Sequence, residues 1–415
     1  MHTKSISKVV FLTLLIAIIG VKSSRVVVAD PNEIYVYPGD SIQAVINAAN
    51  PGDVIRVAAG IYRENLFVNK TISIFGEAPT NTIINGGANG HVIHIISPNV
   101  VISGFTIQNG TSYDTSYFPS GIFVGSNFVE IRNNLLKDNF CGLQVMHSSN
   151  CRIFNNSIIE NSYAGIYIRG GSSNNIFFEN TIKNNNVFGL WIDSSPSNTF
   201  YHNNFVNNAQ QWSIFNSLTI FDNGAEGNYW SDYHGQDTDF NGIGNTKYPT
   251  LGGYDNYPLM GFFTNFTISY NSQTYFLSTI CNSTILNFQF NESEEKINFD
   301  VLGPSGTVGF CRIAIPTLLV QNKCVISIDG RTPFNRIWTN ATYYYCSFAY
   351  ENTAIPQKVT IELKLPPKDN PPPPSLFTPM VIAVVLVTSM IMMSIIIFKR
   401  RKLRKRNQSV KKGRR

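Results

Sequence analysis

Asn127-Phe128-Val129-Glu130-Ile131-Arg132-Asn133-Asn134-Leu135-Leu136-Lys137-Asp138-Asn139, followed by Gly142-Leu143, decides the fold, because the chain repeats it. It returns as Arg152-Ile153-Phe154-Asn155-Asn156-Ser157-Ile158-Ile159-Glu160-Asn161 with Gly165-Ile166-Tyr167-Ile168. It returns again as Asn180-Thr181-Ile182-Lys183-Asn184-Asn185 with Gly189-Leu190-Trp191-Ile192, and a fourth copy reads Asn203-Asn204-Phe205-Val206-Asn207-Asn208. The glycines Gly121, Gly142, Gly165 and Gly189 lie 21, 23 and 24 residues apart. A period in this range marks a solenoid.

The pattern inside the period says which solenoid. Each copy holds short runs that alternate apolar and polar side chains, the mark of half-buried strands. No copy has a segment with helical spacing, which excludes helix-pair repeats. One period has room for three short strands and three corners, which is one turn of a right-handed parallel β-helix. The Ile, Leu, Phe and Val positions point inward and stack on their equivalents, with strands about 4.8 Å apart. Asn suits the corners because it tolerates the left-handed backbone and bonds its own local backbone. Stacked Asn side chains can also bond one another along the axis. About seven coils are expected between residues 54 and 215.

The two ends of the chain set its location. Lys4 and Lys8 precede the apolar run Val9–Val21, so residues 1–29 read as a signal peptide or, in the alternative, an uncleaved anchor. Residues 366–375 are a proline-rich spacer that stays stiff and extended. Residues 376–398 read as a transmembrane helix, and the basic tail 399–415 follows at once, which places that end in the cytoplasm. The expected protein is a single-pass membrane protein with its bulk outside the cell.

The formal charge of +6 misleads. Of 32 Lys and Arg, eleven lie in 399–415 and four in 1–28, which leaves 17 against 26 acidic residues in the body. With an acidic body, no nucleic-acid partner is expected. N-x-S/T acceptors stand at Asn69, Asn109, Asn155, Asn265, Asn282, Asn291 and Asn340, as expected of a surface glycoprotein, with Asn155 the least suited because it lies in a stacked corner. Six cysteines are too few for a disulfide-dense scaffold. Cys141 and Cys151 fall in the repeats. Cys311, Cys324 and Cys346 fall on the buried faces of later strands. Those three and Cys281 are core thiols or form pairs, and four cysteines allow three connectivities.

Residues 34–260 resemble the NosD-like β-helix domain of the pectin-lyase-like superfamily. Ser41-Ile42-Gln43-Ala44-Val45-Ile46-Asn47-Ala48-Ala49 resembles the helix that caps the first coil. Its residues agree, because Asp40 or Ser41 can cap it, Ile42, Val45 and Ile46 share a face, and Asn50-Pro51-Gly52 stops it. Val54-Ile55-Arg56-Val57 and Gly60-Ile61-Tyr62 resemble the first rung. The most specific match is the closing segment, 226–260, with Glu226-Gly227-Asn228-Tyr229-Trp230-Ser231-Asp232-Tyr233 and Asp255-Asn256-Tyr257-Pro258-Leu259-Met260. The resemblance implies a β-helix over 30–260 and says little about chemistry. The family name comes from a copper-related periplasmic protein, yet no His-rich, Met-rich or Cys-rich cluster is visible.

Three further expectations bear on function. Asp237, Asp239 and Asn241, with Gly242, the carbonyl of Ile243, and Asn245, follow the first half of a calcium loop, so a structural Ca2+ is the expected ion. Tyr248 stands where an EF-hand has its bidentate Glu, and a polar turn held by Asx hydrogen bonds is the rival reading. Superfamily enzymes that cut uronic-acid polymers place several Asp, His, Arg or Lys on one exposed sheet. Here His91 and His94, three apart, are expected on opposite faces of a strand. Glu160 and Glu179 are the pair that successive rungs could bring together. No catalytic residue and no cofactor-binding residue is assigned.

Residues 262–365 alternate in about seven short runs separated by turn residues, which reads as a small antiparallel β-sandwich. It resembles the β domain that follows NosD-like domains in archaeal surface proteins. The fold expected is thus all-β, a right-handed parallel β-helix, then a β-sandwich, then one C-terminal transmembrane helix. Two functions stay open. One is a non-catalytic surface protein that binds an extracellular polysaccharide or envelope glycan, or serves a structural or adhesion role. The other is a polysaccharide lyase, hydrolase or epimerase.

Overall fold

The computed structural model describes residues 32–112, 118–321 and 324–367. The expected signal peptide, the spacer beyond residue 367, the transmembrane helix 376–398 and the basic tail lie outside these residues. Among the described residues no helix is long and apolar enough to cross a membrane.

Three parallel sheets of nine, eight and seven strands wind into a right-handed-type coil of about eight turns. Seven complete coils start at the strands Val54–Val57, Ser73–Gly76, Val101–Ser103, Glu130–Arg132, Arg152–Phe154, Ile176–Phe178 and Asn198–Tyr201. The inward columns are continuous. Leu143 pairs with Ile166 and Ile166 with Leu190, and all three are fully buried. Phe177 stacks on Phe200 at 4.5 Å. The opening helix runs from Ile42 to Ala48 and buries Ile42 and Ile46. Ser41 caps it by accepting from the Ala44 amide at 3.1 Å, and Glu64 from the first coil accepts from the Ile42 and Gln43 amides at 2.9 and 3.0 Å. A carboxylate there offsets the positive end of the helix dipole.

Each Asn-Asn corner divides its labour. The first residue takes the left-handed backbone, with φ +54° at Asn133, +51° at Asn155 and +54° at Asn184. The second turns inward and joins a ladder. Asn134, Asn156, Asn180, Asn203 and Asn228 form one column. In it the Asn156 amide and its Nδ2 donate to Asn180 Oδ1 at 3.1 and 3.0 Å, and Asn180 does the same to Asn203 at 3.1 and 2.9 Å. Asn139, Asn161, Asn185 and Asn208 form a second column with the same bonds. These side chains are buried, so each bond satisfies a corner amide that water does not reach.

The first column ends on a different residue. Asn228 donates from its amide to Asp255 Oδ2 at 2.7 Å, and Trp230 Nε1 donates to the same oxygen at 2.9 Å. Burial pushes the Asp255 carboxyl up to about 6 against the pull of these donors. Gly227 has no alternative, because a Cβ there would sit 1.8 Å from Asp255 Oδ1. Trp230, fully buried, stacks between Phe205 at 4.2 Å and Tyr248 at 4.5 Å and plugs the lower end of the coil.

The second domain holds nine strands among the described residues, in antiparallel sheets of five and four. Six of them match the alternating runs of the sequence, and Gln273–Cys281, Lys296–Leu302 and Phe334–Thr339 are the three that were missed. The first carries mixed faces, since its outer side is partly covered by the coil, and the last is an edge strand without a buried residue. Leu259, Phe263 and Ile280 are buried in that contact.

Candidate functional site

The closing segment also brings Glu226 to the junction of coil and sandwich. Arg312 lies on Val308–Pro316, where Cys311 and Ile313 turn into the sandwich core and Arg312 turns out against the coil. Its guanidinium is 2% exposed and meets Glu226 Oε1 at 2.7 Å, while Nη1 donates to the Asn241 carbonyl at 3.1 Å. His202 Nε2 meets the other carboxylate oxygen at 2.8 Å, and its ring stacks on Phe263 at 3.9 Å. Burial alone would raise the Glu226 carboxyl. The Arg312 charge and the His202 bond outweigh it and hold the group at about 2. Glu226 is therefore a fixed anion at working pH and cannot donate a proton.

A cleft of about 710 Å³ opens above this triad. On the coil side the register stacks Phe154 on Phe178 at 4.7 Å, 7° from parallel, and both rings line the cleft; Tyr201, next in the column, stacks on Phe178 at 5.5 Å beyond the lining. Arg152 covers Phe154 and Phe178 at 5.3 and 5.7 Å from their centroids. On the sandwich side stand Phe276, Tyr343 and Tyr345, with Asn265, Ser278, Asn340 and Thr342 between them. Glu179 and Glu226 both line the cleft. The outcome is a groove with aromatic faces and interspersed hydrogen-bonding groups.

The five residues expected to hold calcium lie in one loop at the same junction. Asp237 accepts from the Asn241 amide at 3.1 Å and the Gly242 amide at 2.6 Å. Asp239 accepts from Asn241 Nδ2 at 2.8 Å and lies 3.6 Å from Arg336. Asn241 Oδ1 accepts from the Ile243 amide, and Asn245 Oδ1 accepts from the amide and hydroxyl of Thr238. Burial, and then the neighbouring Asp239, raise the Asp237 carboxyl against the two amides that donate to it.

Two expectations are corrected. His91 and His94 do not face opposite ways, because their rings meet at 5.4 Å. His91 precedes the strand Ile93–Ile95, so strand alternation does not apply to it, and its Nδ1 lies 2.8 Å from Ser120 Oγ. Burial lowers both imidazoles, His91 to about 4. Glu160 and Glu179 do not pair. The Glu160 amide bonds the Lys183 carbonyl, in the corner column of Asn184, whereas Glu179 takes the corner of Asn155 and His202. Both have positive φ and stand in for corner Asn, which the sequence reading did not see. Arg312 and the sandwich half of the cleft were missed too. The signal for Arg312 was a charge inside the apolar run Phe310–Ile315.

The family model described as Periplasmic copper-binding protein (NosD) matches residues 29–235. Among the described residues no three His, Cys, Asp or Glu side chains come together to hold a metal ion, so these side chains do not fit a copper centre. No curated protein sequence matches the chain. Similar solved structures include an alginate lyase from Paenibacillus sp. str. FPU-7, 15% identical over 45% of this chain and 66% of that one, with a TM-score of 0.29. Carrot pectin methylesterase is 15% identical over 51% and 89%, with a TM-score of 0.29. ORF18 of Geobacillus virus E2 is 12% identical over 80% and 76%, with a TM-score of 0.36. The three wound sheets make the coil a parallel β-helix, and over residues 29–235 the chain is similar to the NosD family.

Proposed function

We propose that this is a membrane-anchored surface protein that binds an extracellular polysaccharide or envelope glycan in the cleft without cleaving it. The stacked pair Phe154–Phe178, lining one cleft with Phe276 and Tyr343, carries the proposal. Flat aromatic faces flanked by amide and hydroxyl groups suit sugar rings, whose faces are apolar and whose edges are polar. The alternative, a lyase, hydrolase or epimerase, draws on Glu179, Glu226 and Arg152 sharing one cleft. Glu226, held ionised, cannot serve as its proton donor.

Oligosaccharide titrations of the full chain in detergent micelles test this. Phe178→Ala and Tyr343→Ala are each expected to weaken binding about tenfold, the equivalent of about 1.4 kcal/mol. Absence of binding to every glycan tried would end the proposal. Release of shortened or unsaturated products would replace it with the enzyme.

We also propose that the loop of Asp237, Asp239 and Asn241, with Asn245 and the Ile243 carbonyl, takes a structural Ca2+. Its hard oxygens favour calcium over zinc or copper. An ion bound only by the folded state stabilises it by mass action. Millimolar calcium is expected to raise the melting temperature by about 2–4 °C over a chelated sample. The double variant Asp237→Ala, Asp239→Ala should lose the rise. No shift in the parent leaves the loop a polar turn held by its own hydrogen bonds.

A further inference from the structure

The four cysteines of the sandwich lie in one core, and all six cysteines of the chain are held as thiols. Cys281 and Cys311 are direct register partners on adjacent antiparallel strands. The Asn282 amide bonds the Phe310 carbonyl, so the neighbouring Cys281–Cys311 pair is one of the pairs without ladder bonds. Such pairs bring Cα atoms to about 4.5 Å, within the roughly 4.4–6.8 Å that a disulfide accepts. Cys346 sits one strand further on, opposite Ile313. Cys324 enters the core beside the four-stranded sheet and its thiol meets that of Cys346.

We propose that Cys281–Cys311 and Cys324–Cys346 close as two disulfides when the chain folds in an oxidising compartment. Of the three possible connectivities this is the one the sandwich permits. Cys281 and Cys346 both flank the strand of Cys311, on opposite sides, so about two strand spacings of 4.8 Å separate them. That is beyond the reach of a disulfide. It removes the connectivity that joins Cys281 to Cys346 and Cys311 to Cys324. The remaining one, Cys311 to Cys346 with Cys281 to Cys324, would break both existing thiol contacts.

The first bridge would staple two strands of the five-stranded sheet. The second would join one sheet to the other through the core. In each, two thiols lose two protons and two electrons, one S–S bond forms, and a small oxidised disulfide such as oxidised glutathione is reduced to two thiols. Timing follows from burial, since all four side chains lie in the sandwich core, where a small oxidant reaches them only before the core has closed. The bridges therefore form during folding. Cys141 and Cys151 sit apart from this core, each in the coil, with burial raising them to about 12 and about 11, and they stay reduced.

The test is to refold the full chain in detergent micelles with oxidised and reduced glutathione, alkylate it, digest it without reductant and map the peptides by mass spectrometry. The expected result is two linked pairs, 281 with 311 and 324 with 346, and alkyl groups on Cys141 and Cys151. The double variant Cys281→Ser, Cys311→Ser should keep the 324–346 link. Alkylation of all six cysteines, or a link between Cys311 and Cys346, would overturn the proposal.

Discussion

Asn180→Leu is expected to remove on the order of 3–5 kcal/mol of stability, a large share of the roughly 5–15 kcal/mol a folded domain has. The substitution keeps the side-chain shape and deletes its bonds. Asn180 accepts from the Asn156 amide and Nδ2, and donates to the Ile153 and Phe178 carbonyls and to Asn203 Oδ1. The Asn156 amide then lies buried with no acceptor, which alone costs about 1–3 kcal/mol. The control is Asn184→Gly. Asn184 holds the left-handed backbone at its corner and glycine holds it as easily, so that variant should stay within about 1 kcal/mol of the parent. Denaturant titration compares them. Equal stability of the two variants would mean the ladder contributes nothing beyond shape.

Arg312→Met is expected to cost about 3–5 kcal/mol, because it takes the charge partner away from the largely buried Glu226 carboxylate. Glu226→Gln with Arg312→Met should recover part of that loss, since a neutral pair carries no charge to desolvate. The pH dependence separates this from a loss of packing. In the parent, Glu226 falls from an ordinary value of 4.5 to about 2 on folding. A lowered carboxyl stabilises the fold fully above its unfolded value. That contribution, on the order of 3 kcal/mol, is lost as pH falls from about 4.5 through about 2. In Arg312→Met the charge that outweighs burial is gone, so this acid-side loss should shrink. An acid transition unchanged by the variant would show that Arg312 does not set the Glu226 carboxyl.

The coil was legible because its information is local and repeated. The Asn pairs, the Ile columns and the glycine period stand within single periods, and Trp230 and Asp255 close them in a recognisable segment. The cleft was not legible, because its walls come from residues nearly two hundred positions apart in two domains. Corner substitutions also hid. Glu160, Glu179, Asp138 and His202 occupy Asn-type corners with positive φ, and their charge suggests chemistry where the backbone needs only tolerance of that conformation. His91 misled for a related reason, since strand alternation was applied to a residue in a turn. The strictly alternating strand Lys296–Leu302 was there to be read and was passed over.

The carboxylate at the foot of the asparagine column has a consequence for how such molecules stay apart. Every asparagine in the column passes a donor onward to the next, so the column has a direction, and an exposed last asparagine would offer that donor to any incoming chain. Asp255, when ionised, only accepts. It receives the last donor and offers none. With Trp230 covered by Tyr248 as well, this column offers no donor to another molecule's coil. Stacked parallel strands otherwise invite open-ended fibre growth. One change of amide to acid makes that column finite.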